Sequence, residues 1–295
     1  MEHKKGYHSL AAVFTVLLFL SAATAADTDE KKLDYGFEGG VTTASKYIWR
    51  GQRLTNDWSL QPTATLSVGG LSFNFWGNLD LGAVNEGDAL PIPENPAASP
   101  GSSGLKGKFS EIDYTISYVV ETEPVSVDLG TIFYTFPERS ASLPATTELY
   151  GGVTLNRVPL APSAKLFVDV DESGEGDGSP ALYLLLSGTH QIPFRHSRFP
   201  GLDLSASLSF VNTGFCRFYY GEEESGAHDF AFTVSAPINL GENWSAAAFI
   251  TYSTLLGEFR DHQFVDPREV YRGTAGSPAT FADTVWGGLS LNLAF

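Results

Sequence analysis

The segment that decides the fold is Val285-Trp286-Gly287-Gly288-Leu289-Ser290-Leu291-Asn292-Leu293-Ala294-Phe295. Val285, Gly287, Leu289, Leu291, Leu293 and Phe295 share one parity, and Trp286, Gly288, Ser290, Asn292 and Ala294 share the other. Successive side chains of a strand point to opposite faces, so this strand has one apolar face and one face of mostly small or polar groups. An apolar face running into a terminal aromatic, with no polar tail, suits a strand that faces lipid. A soluble domain gains little from it.

The same alternation recurs upstream about twelve times. The expected strands are Asp34–Arg50, Trp58–Val68, Leu71–Leu81, Phe109–Val120, Val125–Phe136, Thr146–Leu155, Ala164–Val170, Ala181–Thr189, Leu202–Val211, Asp229–Pro237, Trp244–Ser253 and Phe281–Phe295. On the first, Tyr35, Phe37, Val41, Tyr47 and Trp49 are expected to face outward, with Arg50 reaching inward at the rim. Ala181–Leu186 is continuously apolar, so its facing is ambiguous. Pro62 is awkward in a strand paired on both sides, because it has no N–H.

The connections carry a second signal. Counted from the start, the odd ones are mostly long: Gly51–Asp57, Gly82–Lys108, Pro137–Ala145, Asp171–Pro180, Asn212–His228 and Thr254–Thr280. The even ones are short (Gly69-Gly70, Glu121–Pro124, Asn156–Ser163, Ile238–Asn243), with His190–Gly201 the untidy member. Sorting by parity is what an up-and-down barrel in a membrane gives. The expectation is an all-β antiparallel transmembrane β-barrel of about twelve strands, with short periplasmic turns and longer extracellular loops. Aromatics near the expected strand ends (Tyr47, Trp49, Trp58, Tyr134 and Phe136 at one end; Tyr35, Phe37, Trp244 and Phe295 at the other) read as interfacial girdles.

Residues 1–26 read as a secretory signal peptide. Lys4 and Lys5 supply a basic start, Leu10–Leu20 an apolar stretch too short to span a bilayer, and Ala23-Thr24-Ala25 a small-residue cleavage site. Residues 27–295 then form one barrel domain, and the expected location is the outer membrane of a Gram-negative-type bacterium. Lys and Arg number 18 against 34 Asp and Glu, a formal net charge of −16, which argues against nucleic acid as a partner. Cys216 is the single cysteine, so there is no intrachain disulfide.

The inward parity carries Glu38, Lys46, Arg50, Asn74, Asn78, Asp80, Glu111, Asp113, Asp128, Glu148, Lys165 and Asp169, the candidate lumen-lining residues. An excess of carboxylates in a wet lumen attracts cations. The alternative is that they pair with Lys46, Arg50 and Lys165 and fill the interior. Glu111, Asp113 and Asp80 are the candidate cation-facing rim. Asp169, Asp171 and Asp177 have alternating acidic oxygens like the start of a calcium loop, with Gly174 at the sixth position, but Pro180 stands where the bidentate Glu belongs. Catalysis finds little support. There is no Gly-x-Ser-x-Gly elbow, and His190, His196, His228 and His262 are scattered. No catalytic residue and no cofactor is expected.

The C-terminal segment resembles the signal that barrel-assembly machinery reads in outer-membrane proteins. Val41-Thr-Thr-Ala-Ser45-Lys-Tyr47-Ile-Trp-Arg50-Gly51-Gln52 resembles the opening of the uncharacterised Gcw_chp-type outer-membrane family, whose Ser-x-Tyr-x-x-Arg-Gly stretch is matched by Ser45, Tyr47, Arg50 and Gly51. That likeness covers about the first fifth of the chain and implies a location, with no chemistry attached. Expected partners are outer-membrane lipids, lipopolysaccharide, the assembly machinery and unidentified small solutes. The expected function is a passive porin-like channel with a mildly cation-preferring lumen. The alternatives are a non-conducting surface barrel that binds through acidic loops, and an outer-membrane hydrolase.

Overall fold

In a computed structural model the described residues are 34–55, 57–82, 106–138, 145–171, 179–220, 223–261 and 282–295. The expected signal peptide, His262 and Asp177 lie outside them. The strands are β1 (Tyr35–Ala44), β2 (Tyr47–Trp49), β3 (Gln52–Thr55), β4 (Ser59–Val68), β5 (Leu71–Asp80), β6 (Phe109–Glu121), β7 (Val125–Thr135), β8 (Thr146–Leu155), β9 (Ser163–Asp169), β10 (Ala181–Pro193), β11 (Gly201–Val211), β12 (Gly226–Asn239), β13 (Trp244–Leu255) and β14 (Asp283–Ala294). β2 and β3 pair only with each other, and the remaining twelve close into one antiparallel barrel. Each strand meets its chain neighbour, and β1 joins both β4 and β14, with Val41 opposite Pro62 on one side and Leu291 on the other. Closure leaves no edge of unpaired backbone groups, the condition for strands to lie in a medium without water.

At one end the connections are 69–70, 122–124, 156–162, 194–200 and 240–243; at the other they are 45–58, 81–108, 136–145, 170–180, 212–225 and 256–282. The expected parity is therefore the parity of the fold. The untidy turn resolves itself, because β10 runs on to Pro193 and β11 starts at Gly201. Pro62 is accommodated where its missing donor predicts: the β4–β5 ladder jumps from Leu60 opposite Leu79 to Thr63 opposite Trp76.

Around the girth, Leu66, Phe73, Tyr114, Leu149, Leu166, Leu186, Ile250 and Leu289 are all exposed. At the short-turn end Tyr35, Phe37, Trp244 and Phe295 are exposed too, with the Phe37 and Phe295 rings stacked at 6.2 Å. A water-soluble protein rarely exposes so continuous an apolar surface, whereas hydrocarbon favours it. The ambiguous run in β10 takes one facing: Leu186 points out and Tyr183 points in, buried.

The inner face changes along the barrel. Towards the short-turn end it carries small and polar side chains such as Thr65, Asn74, Ser117, Ser187, Ser205 and Asn292, all partly accessible. Towards the other end it carries Asp80, Glu111, Glu148, Asp169, Ser209 and Asp229, all buried. Something covers them, and it comes from the first long connection.

The expected first strand, Asp34–Arg50, is two pieces. β1 stops at Ala44, the chain bends at Ser45-Lys46, and Tyr47–Thr55 forms the separate β2–β3 hairpin. Tyr47 and Trp49, expected to face outward, are instead inside the fold: Tyr47 is buried and Trp49 packs against the buried core. Alternation read through the bend assigned them to the wrong face, since a bend resets parity.

Candidate functional site

The hairpin turns on Arg50 and Gly51 between Trp49 and Gln52, which face each other. Both turn residues have positive φ, +48° and +75°, the geometry of a two-residue turn whose twist matches its strands. Glycine adopts it freely; an arginine there carries a strain of about 1–2 kcal/mol that its contacts must offset. Gly51 also lies flat on the barrel wall. A Cβ there would stand 2.7 Å from the Asp229 Cβ and 2.8 Å from the Leu255 Cδ2.

Each matched residue of the Ser45-x-Tyr47-x-x-Arg50-Gly51 stretch seats this hairpin. The Ser45 N–H donates to the Gly287 carbonyl at 2.9 Å, and its hydroxyl accepts from the Gly287 N–H at 3.1 Å. Tyr47 lies beside the Trp76 ring at 5.4 Å and bonds through its hydroxyl to Glu111. At the far end Thr55 donates to Asp80 at 3.1 Å.

Arg50 makes the central contact. Its two terminal nitrogens donate to the two Glu148 oxygens at 2.8 and 2.7 Å, and the Tyr134 hydroxyl donates to the same carboxylate at 2.9 Å. The guanidinium lies 4.1 Å from the Tyr183 ring centre, 4.5 Å from that of Trp49 and 5.0 Å from that of Phe167. The pair is nearly closed to solvent, with side-chain exposures of 7% and 2%. A planar fork between aromatic faces suits arginine and not lysine. Tyr134, expected on the outer girdle, points inward for this contact.

A second element completes the closure. The connection after β11 holds a helix, Thr213–Tyr220, where the sequence reading expected only a loop. Asn212 caps it by accepting the Phe215 N–H at 2.9 Å. Gly214 lets its first turn press on the chain at Pro180, whose carbonyl would stand 2.3 Å from a Cβ. Phe215 and Cys216 are fully buried. Burial, then the Glu224 charge, pushes the Cys216 thiol up to about 12, so it is a packed side chain and no nucleophile. Tyr219 stands 5.1 Å from the Trp49 ring, which joins helix to hairpin, and donates to Asp169 at 3.4 Å.

The sequence reading missed a cluster beside this helix. The Tyr220 hydroxyl and His228 Nε2 are 2.6 Å apart, and His228 Nδ1 and Asp229 Oδ2 are 2.8 Å apart. Asp229 also accepts from Tyr183 at 3.0 Å and from Ser209. In a neutral His228, Nδ1–H donates to Asp229 and Nε2 accepts from Tyr220. The arrangement does not resemble a hydrolase triad: Ser209 bonds to the carboxylate instead of the imidazole, and the histidine is wholly enclosed. The readable signal was Asn212 before aromatics at 215, 218 and 219, a cap followed by helical spacing.

The remaining candidates are distributed along the inner wall. Asn78 donates to Asp80 at 3.1 Å and to Ser110 at 2.9 Å, and accepts from Gln61 at 3.0 Å. Asp113 stands near Tyr47, and its Oδ1 has no hydrogen-bond partner among the described residues. Asp169 accepts from Thr146 at 2.7 Å. Lower down, Lys165 pairs with Asp128 and sits 4.5 Å over the Tyr150 ring. Asn74 donates to Thr63 and Thr65 at 3.0 and 2.8 Å. Glu38 is exposed near the short-turn end, and Lys46 is half-buried in the bend. Asp171 is exposed, its N–H donating to Asp169 at 3.1 Å. Among the described residues no group of three or more His, Cys, Asp or Glu could hold a metal ion.

No family model and no curated protein matches the chain. Several solved structures are similar to it. An outer membrane channel from Pseudomonas putida F1 aligns at 9% identity and a TM-score of 0.39, over 92% of this chain and 100% of that one. OmpF of Salmonella typhi aligns at 11% and 0.35, over 90% and 98%. OprB of Pseudomonas putida aligns at 8% and 0.37, over 97% of each. The barrel assignment itself rests on this chain's own strand pairing.

Proposed function

We propose that this chain is an outer-membrane barrel whose lumen is open to the periplasm at the short-turn end and stoppered at the outer end. It acts as a narrow, cation-preferring channel for small solutes, and the β2–β3 hairpin is the stopper. One observation carries the selectivity. Asp80, Glu111, Asp113, Glu148, Asp169 and Asp229 face the constriction from the wall, with the Arg50 guanidinium among them paired to Glu148. A path past these groups runs through negative potential, which admits cations and excludes anions. The exposed apolar girth and the parity of the connections support the membrane location and the orientation.

Planar-bilayer recording of the purified barrel under a salt gradient tests this. The expected result is small, cation-selective steps in the native protein. Arg50→Ala should enlarge them and raise their frequency, because it removes the cation that locks the hairpin to Glu148. A second reading, a non-conducting barrel serving as a binding or structural protein, is favoured by the complete burial of Phe215 and the pairing of Arg50. Silent bilayers for both the native protein and Arg50→Ala would decide for it.

A further inference from the structure

Arg50 closes on Glu148, Arg157 on Glu123, Arg217 on Glu223 and Arg260 on Asp283. Arg195 and Arg198 do not. They stand exposed in the turn 194–200, and neither has an acidic partner among the described residues. In a chain with 34 Asp and Glu against 18 Lys and Arg, two neighbouring guanidiniums without a carboxylate are unusual. From Ala181 to Leu202 the sequence contains no Asp or Glu at all.

The backbone of the turn is ordered by its own contacts, so both arginines start from fixed positions at the rim. His196 Nδ1 accepts the N–H groups of Arg198 and Phe199, both at 3.2 Å, and the Phe194 N–H donates to the Pro200 carbonyl at 2.7 Å. The Arg198 carbonyl accepts from the Asn239 N–H at 2.9 Å, which sets the turn level with the end of β12 and so with the rim at Trp244. Phe194 and Phe199 flank the arginines and are 48% and 44% exposed, and Trp244 is 47% exposed.

We infer that this turn binds the anionic phosphate of a phospholipid headgroup in the leaflet at the short-turn end. Aromatic rings at the rim enter the acyl boundary, where exposing them costs least. Guanidiniums at the same height meet the phosphate layer, where basic residues are attracted to anionic headgroups. Charge selects the occupant. An acidic protein surface would also be attracted to the arginines, but it would leave the two phenylalanines in water, whereas a lipid takes up both. The inference rests on the membrane reading above, since the leaflet exists only if the barrel spans.

Native mass spectrometry of the full barrel, released from nanodiscs of mixed phosphatidylglycerol and phosphatidylcholine, tests it. The native protein should retain phosphatidylglycerol about tenfold over its mole fraction relative to phosphatidylcholine. Arg195→Gln/Arg198→Gln should lose that preference. Arg157→Gln, which removes a paired arginine from a neighbouring turn, should keep it. Equal retention of the two lipids by the native barrel overturns the site and leaves the membrane reading intact. A protein that does not enter nanodiscs overturns both. Heat-dependent gel migration of each variant confirms that the barrel is closed before retention is compared.

Discussion

Arg50 and Glu148, 98 positions apart, meet through two parallel hydrogen bonds inside the barrel, one residue at the tip of an inserted hairpin and the other on the wall. The pair is enclosed by Trp49, Phe167 and Tyr183, so neither charge can turn to water when its partner is lost.

Removing one side should therefore be worse than removing both. Glu148→Gln leaves a buried guanidinium without its counter-charge, at a cost of about 3–5 kcal/mol. Arg50→Met/Glu148→Leu, which leaves no charge, should cost markedly less. Urea unfolding of the barrel in lipid vesicles measures both. A double variant as unstable as Glu148→Gln would mean the pair's net attraction outweighs its desolvation.

Gly51→Ala should unseat the hairpin. It meets both the positive φ and the contacts with Asp229 and Leu255, whereas Gly69→Ala meets a φ of +59° with no atom within 4 Å. Gly69→Ala should cost about 1 kcal/mol from the backbone alone. Gly51→Ala should exceed it, with the excess seen as faster amide exchange in Tyr47–Thr55.

Cys216 should resist maleimide at pH 8 in the folded barrel and react fully in denaturant. Its thiol is fully buried and held near 12, so the thiolate fraction is small until the helix opens. Rapid labelling of the folded protein would place the helix away from the wall.

Facing decides tolerance in β14. Leu289→Arg puts a charge on the exposed apolar girth and should destabilise the barrel in lipid by about 2–4 kcal/mol. Ser290→Arg, one residue on and facing the lumen, should cost little. Equal losses in vesicle unfolding would contradict the lipid-facing assignment of Leu289.

Period-2 alternation made most of the barrel readable, because one face in lipid and one in the lumen constrain every second residue of β4 to β14. It failed where that constraint lapses. After Ala44 the chain leaves the wall, so Tyr47 and Trp49 no longer have a lipid face, yet their spacing still looks like strand. Arg50 and Glu148 were both legible as inward residues, but their partnership was not: it depends on how far a hairpin reaches across the lumen, which no local pattern encodes. The Tyr220–His228–Asp229 contact was hidden for the same reason. His228 and Asp229 are adjacent in sequence and would face opposite ways on an ideal strand, but both are buried where the helix folds over the start of β12.

The hairpin hangs from β1, and Ser45 at its base is held by Gly287 on β14, 242 residues away in the chain. β1 and β14 are the paired strands farthest apart in the chain, since every other barrel pairing joins successive wall strands, so closing this seam carries the largest loop-closure cost. The hairpin thus gains its Ser45 anchor only as the seam closes. Sealing the wall and fixing the hairpin's base are thereby coupled: a barrel with its seam open keeps the contacts of Arg50 and Thr55 with the wall but lacks the two Ser45–Gly287 bonds that set where the hairpin leaves β1.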